Sequence, residues 1–423
     1  MAAGSDQNNH LFRQQQQMLN LRGAQMVEEQ TGRTAADGLV KAKGTKKQLI
    51  GTIVGVLAAA LFLVFLAHLS GCGPKERDAG IAAVYGSRSL SLSGTVPASM
   101  YYELAGNGKQ AVILPCSNNG EDGAANITGG SSLCGLRVSD GTLRSEGNWD
   151  LPEGSHLLGM DPAGNVWLTA ERGSKIYRLD PETGTLGGMD PGVQIARNGV
   201  FGFGTDGGAA WFLVETTAGE HRVLALAPEQ VGTGQILFDQ NLETWCQGTV
   251  GYLPREADWA EELEGREEDL LLSMLFPEGP QDSLCFVTTR WGDLKLALIR
   301  KSPIDAESWC ILCGIRSDFT LEPELCYEMD TEAGFSYGMP VPATAAPYDL
   351  LIPRKDGLYG LLPGGAQEPL ADWEDLGTSA LWFTKEGLMG CEFCPGTDGS
   401  LWLLTMDGDE QVLRALGPLE GEK

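Results

Sequence analysis

One phrase returns four times along this chain, at an interval that only a few architectures can accommodate. It reads Asp161-Pro-Ala-Gly164-Asn-Val-Trp167-Leu168, then Thr205-Asp206-Gly207-Gly208-Ala-Ala-Trp211-Phe212, then Lys355-Asp356-Gly357-Leu-Tyr359, then Thr397-Asp398-Gly399-Ser-Leu-Trp402-Leu403. Trp167 and Trp211 are 44 positions apart, and Tyr359 and Trp402 are 43 apart. That spacing fits one four-stranded sheet per repeat. The 148 positions between Trp211 and Tyr359 leave room for two more units whose phrases have drifted, plus an insertion.

The residue types have a physical reason. Asp with Gly supplies a tight hairpin turn, because Gly accepts positive φ and the Asp side chain bonds to nearby backbone, and the aromatic a few residues on opens the next strand. Around the phrase, short alternating runs such as Lys175 to Leu179 (KIYRL) and Val223 to Leu226 (VLAL) are bounded by Gly, Asp, Asn and Pro. This is strand texture, and long helical periodicity is nearly absent. Asp180-Pro-Glu-Thr-Gly184 adds a turn of the kind that joins the third and fourth strands of a blade. The chain is therefore expected to be all-β, a β-propeller of about seven four-stranded blades, with six or eight as the bounds, over residues 98–418 and a short tail at 419–423. In such a ring Trp167, Trp211, Tyr359 and Trp402 pack between neighbouring blades, and Asp161, Asp206, Asp356 and Asp398 form the turns.

Ahead of this region lies a different kind of segment. Leu49 to Ala67 is an apolar run without a charge, long enough as a helix to cross about 30 Å of hydrocarbon. Lys41, Lys43, Lys46 and Lys47 precede it, which places residues 1–48 in the cytoplasm and everything after the run outside. Residues 1–48 carry net charge +3 and the remainder −30. So negative a field excludes nucleic acid as a partner and leaves neutral or cationic ones. Residues 49–71 read as a transmembrane helix or signal segment, and 72–97 as a flexible Gly-, Ser- and Ala-rich spacer.

Three resemblances follow from these residues. Leu69-Ser70-Gly71-Cys72 resembles a bacterial lipobox, which implies that the Cys72 thiol receives a lipid and the segment before it is removed; otherwise Leu49 to Ala67 stays as an anchor. The Asp-Gly-aromatic phrase resembles the blade repeats of bacterial sensor-type propellers. Tyr348-Asp349 to Asp356-Gly357-Leu-Tyr359-Gly360, with Pro369-Leu370-Ala-Asp372-Trp373-Glu-Asp375, resembles the propeller half of clostridial surface lipoproteins. In that family a solute-binding domain typically follows, and the sequence carries none after its last repeat, so solute transport is not expected.

Side chains for chemistry are few. His156 and His221 are the only histidines of the outer portion, and no nucleophile, phosphate-loop or zinc-protease motif occurs. Cys310-Ile-Leu-Cys313 and Cys391-Glu-Phe-Cys394 lie in apolar strand texture and read as buried thiols rather than a zinc site. Cys116 with Cys134 is the first candidate for a disulfide bridge. Glu256 to Asp269 packs eight carboxylates into fourteen residues without the alternation calcium requires, and reads as a solvated insert. Trp259 and Trp373 fall outside the phrase and are the candidates for an exposed ring that stacks a ligand. No catalytic residue, cofactor or metal is expected. The leading reading is a membrane-anchored extracellular propeller that is not an enzyme and binds a glycan, peptide or protein. Its alternatives are a propeller-based hydrolase or lyase, or a truncated solute-binding lipoprotein.

Overall fold

The computed structural model describes residues 85–99, 101–117, 129–227, 235–249, 279–301, 308–332, 335–337, 339–345, 347–376, 392–407 and 410–418. All of them belong to one compact unit, Asp78–Lys423. Residues 1–48, the apolar run Leu49 to Ala67, Cys72, the acidic insert with Trp259, and Cys391 lie outside the described residues. No helix among the described residues is long and apolar enough to cross a membrane.

The fold is all-β and propeller-like. Antiparallel neighbours in sequence order build three four-stranded sheets, one five-stranded and one seven-stranded. The seven-stranded sheet divides at its longest strand, Thr142–Met160, whose first part to Ser155 pairs back with Gly130–Ser139 and whose last part from His156 pairs forward with Val166–Ala170. The described residues thus hold six four-strand units. Their inner strands are Tyr101–Gly106, the His156 to Met160 end of the long strand, Ile195–Thr205, Leu284–Thr288, Val341–Pro342 and Glu392–Pro395. A seventh unit is not seen among the described residues: between Trp211 and Tyr359 they hold one complete intervening unit, Leu284 to Glu332.

Each unit packs on the next, and the last packs on the first. Ile113 and Leu136 of the first unit meet Trp402 and Leu413 of the sixth. Leu114 and Leu133, which point the other way from the same strands, meet Val166 and Leu168 of the second. The series continues with Ile176 against Phe212, Trp211 against Leu296, Cys310 against Leu350, and Leu351 against Leu403. Second strands are covered on both faces, so Val166–Ala170 and most of Ala210–Thr216 are continuously buried and read as unbroken apolar runs. Fourth strands such as Ile236–Asn241 lie at the rim, with polar and half-buried positions. Toward the middle the inner strands crowd together. A Cβ on Gly159 would come within 2.7 Å of the Phe203 ring, and one on Gly204 within 2.6 Å of Phe286, so these two positions need glycine for the close approach of the next unit.

The ring is closed by an unexpected strand. Tyr85–Leu90, placed by composition in the flexible spacer, is ordered as the outermost strand of the sixth unit, paired with Glu410–Pro418 in a register running from Tyr85 opposite Pro418 to Leu90 opposite Leu413. Tyr85 and Leu90 are buried, and this interior contact outweighs the local Gly and Ser content.

Candidate active site

The turns that follow the inner strands form one set of corners. In three of them a carboxylate holds the repeat aromatic. The indole nitrogens of Trp167, Trp211 and Trp402 donate to Asp161 Oδ2 (3.1 Å), Asp206 Oδ2 (3.2 Å) and Asp398 Oδ1 (3.0 Å). The same carboxylates accept backbone N–H groups of their own turns, such as Ala209 on Asp206 Oδ1 at 2.8 Å. Gly207 and Gly399 take φ of +83° and +78° there. Asp398 also pairs with Arg88 of the closing strand. Burial pushes the Asp398 carboxyl up, but bonds from Ser400 and Trp402 and the Arg88 charge outweigh it and hold it below the ordinary carboxylate range.

Tyr359 is placed differently. It stands on the third strand of its unit, Gly357–Leu361, after a turn between second and third strands, and its hydroxyl donates to Asp356 Oδ2 at 2.8 Å. The buried aromatic next to the second strand of that unit is Tyr348, which donates to Glu368 Oε2 at 3.0 Å. The 43-position interval from Tyr359 to Trp402 therefore links two different corners. The Asp180 to Gly184 turn lies where expected, between the third and fourth strands of its unit, with Thr183 Oγ1 on Asp180 Oδ2 at 2.9 Å.

Where the inner strands end, they enclose a cavity of about 600 Å³ on the ring axis. Every unit contributes, through Gly106 and Asn107, Met160, Thr205, Thr289 and Arg290, Ala343 and Thr344, and Gly396. Leu158, Phe203, Phe286 and Phe393 supply apolar wall. Asn107 Nδ2 donates to the Asp161 carbonyl at 2.9 Å and the Gly108 N–H to the Pro395 carbonyl at 3.2 Å, so neighbouring corners are tied together at this mouth.

Farther back on the first two inner strands lies the group best suited to proton transfer. His156 Nδ1 is 2.7 Å from Glu103 Oε1, and Glu103 Oε2 accepts the Leu157 N–H at 2.5 Å. Glu103 is buried, while the His156 side chain keeps 31 % of its surface open. The two residues stand one and two positions before Leu104 and Leu158, the first cavity-lining residues of their strands. With the carboxylate on Nδ1–H, the neutral ring carries its lone pair on Nε2, which meets no partner among the described residues. The Glu103 bond raises the His156 pKa, burial opposes it and the Glu103 charge adds to it. A ring oriented in this way can take a proton at Nε2 and return it. The other outer histidine, His221, lies 3.3 Å from Glu243 at the rim of the third unit.

Several expectations for individual residues change. Trp373 is buried, its indole donating to the Arg354 carbonyl at 2.9 Å, and it presents no face to a ligand. The tryptophan that is exposed is Trp291, in the corner Thr289 to Asp293. Cys116 and Cys134 belong to cores on opposite faces of the first unit, where no bridge can form between them. Cys310 and Cys313 likewise face opposite sides of strand Ser308–Ile315, three positions apart; burial pushes both thiols up, Cys313 to about 12. Cys134 lies opposite Ile113, three positions before Cys116, and alternation of side chains along a strand sends the two thiols to opposite faces.

No family model matches the chain, and no curated protein does. Among solved structures, the chain is similar to a catalytically inactive virginiamycin B lyase from Staphylococcus aureus with quinupristin, at 13% identity and TM-score 0.39, covering 79% of this chain and 100% of that one. It is similar to a gluconolactonase from Xanthomonas campestris at 14% identity and TM-score 0.39, covering 81% and 99%. A PQQ-bound aldose sugar dehydrogenase from Streptomyces coelicolor matches at 12% identity and TM-score 0.29, covering 60% and 91%. All three neighbours carry enzyme names, which runs against the expectation that the chain is not an enzyme, and that expectation is withdrawn; no activity passes from them to this chain. Such low identity bears on fold, and says nothing of substrate.

Proposed function

We propose that this protein is a propeller-based hydrolase or lyase, a six-bladed ring whose proton-transfer residue is His156, oriented by Glu103. The carrying observation is the 2.7 Å contact that fixes the Nδ1–H tautomer and leaves Nε2 free on a ring that is partly open. As a general base, Nε2 takes a proton from a water that attacks an acyl centre, or from a carbon beside a carbonyl whose leaving group departs. In both cases Glu103 stabilises the imidazolium that forms, and the imidazolium returns its proton to the leaving atom. The sequence supports a site outside the membrane, tethered through Leu49 to Ala67 or an acylated Cys72, with a glycan, peptide or protein as substrate, in keeping with the resemblance to clostridial surface lipoproteins. Mass spectrometry of the mature N-terminus distinguishes the two anchors.

The test is turnover of a panel of p-nitrophenyl esters and aldonolactones by the detergent-solubilised full chain. His156→Ala is expected to lower kcat/KM by about 10²- to 10⁴-fold. Activity should rise with pH as His156 loses its proton, and Glu103→Gln should move that rise to lower pH, because the raising influence is gone. A wild-type chain that turns over nothing in the panel, or a His156→Ala chain as active as wild type, ends this reading. The pair has a readout that needs no substrate. A raised folded pKa contributes stability that is complete below the unfolded value, about 6.5, and is lost as pH rises through the folded value. Urea unfolding across that window should show the loss in wild type and a flat response in Glu103→Gln.

A further inference from the structure

The corner of the fourth unit departs from the others in what it presents to the cavity. At the place where three other corners carry a turn carboxylate, Thr289 to Asp293 carries Arg290 and the exposed Trp291. Arg290 lines the cavity, and its guanidinium carbon stands 4.1 Å from the centre of the Trp291 ring. The indole of Trp291 is itself held by Asp349 Oδ1 at 2.8 Å, and the Arg290 backbone N–H donates to the Asp349 carbonyl at 3.1 Å, so the Trp291 ring and the Arg290 backbone are fixed to the neighbouring fifth unit.

What the guanidinium lacks is a counter-ion. Arg290 Nε is enclosed and meets no hydrogen-bond partner, and its terminal nitrogens make no bond or ion pair among the described residues. Two further enclosed hydroxyls lie beside it, Thr344 Oγ1 on the cavity wall and that of Tyr85 behind it; neither makes a well-formed hydrogen bond, and the nearest group to each is the other. Burial pushes the Tyr85 phenol up to about 12 against the opposing pull of Thr344 and the Arg290 charge, which places the three groups within electrostatic reach of one another. In a chain of net charge −27, an arginine that meets no carboxylate among the described residues and lines a walled cavity keeps its charge available to a ligand.

We propose that this cluster is an anion-recognition site, in which Arg290, backed by Thr344 and Tyr85 and stacked on Trp291, receives a carboxylate of a ligand whose apolar part lies against Phe203 and Phe286. One guanidinium with neutral hydroxyls balances one negative charge, and a planar carboxylate matches the guanidinium fork. The surrounding acidic field disfavours a doubly charged group. Applied to the substrate, the inference rests on the catalytic reading above; as a statement about binding it does not.

The experiment uses the solubilised full chain and two matched probes, phenylacetate and phenylacetamide, which share shape and differ in charge. Calorimetric titration should give phenylacetate about a tenfold tighter Kd than phenylacetamide. Arg290→Gln should erase the difference, and Arg290→Lys should restore part of it. Equal affinity of both probes for wild type, binding of neither, or a preference that survives in Arg290→Gln overturns the proposal. The wild-type comparison stands on its own if a variant does not fold. A preserved preference alongside no turnover in the ester panel would sink the catalytic reading and leave the anion site in place.

Discussion

The corners of the third and fourth units occupy equivalent places on the ring and do opposite things. In the third, Asp206 holds the Trp211 indole, and Trp211 is buried against Trp245, with ring centres 5.9 Å apart and planes inclined 18°, and against Phe238 and Phe319. In the fourth, the tryptophan has moved into the turn itself, is exposed, and is gripped from outside by Asp349. The core of the fourth unit at that level is filled by Phe286 and Leu294 instead. One corner spends its aromatic on cohesion and the other leaves it free for recognition. Departure from the repeat therefore marks function better than the repeat itself.

Three substitutions sharpen the contrast. Trp211→Ala removes the centre of the largest aromatic cluster and should cost about 3–5 kcal/mol in denaturant unfolding. Asp161→Ala takes the acceptor from the Trp167 indole and from the Asn165 backbone N–H in a buried corner, and should cost about 1–3 kcal/mol. Trp291→Ala should change stability by no more than about 0.5 kcal/mol while weakening phenylacetate binding. If Trp291→Ala proves as destabilising as Trp211→Ala, the two corners are alike and the division of labour fails.

The sequence was legible where the determining contacts are local. Asp206, Gly207 and Trp211 lie within six positions, and turn, strand and packing follow from that stretch. The link from turn carboxylate to indole is equally local, with Asp and Trp four to six positions apart. Tyr359 deceived because an Asp-Gly turn suits any hairpin, and only pairing reveals which one it closes. The partnership of Glu103 with His156 spans 53 positions and exists only because two inner strands lie side by side; a lone glutamate in an apolar strand, Tyr101 to Gly106, was its one trace. Trp373, the ring expected to be exposed, is covered and Trp291 is not, since exposure depends on which neighbour covers a ring.

The union of Tyr85–Leu90 with Glu410–Pro418 carries a consequence for how the molecule comes into being. Chains are made and emerge from the N-terminus onward, so the first strand must wait, unmatched, until more than three hundred later residues have appeared. The intervening units can assemble on local pairings in the meantime. Completion is thus the slowest and most distant event, and a nascent ring is an open chain of sheets with a bare edge at either end.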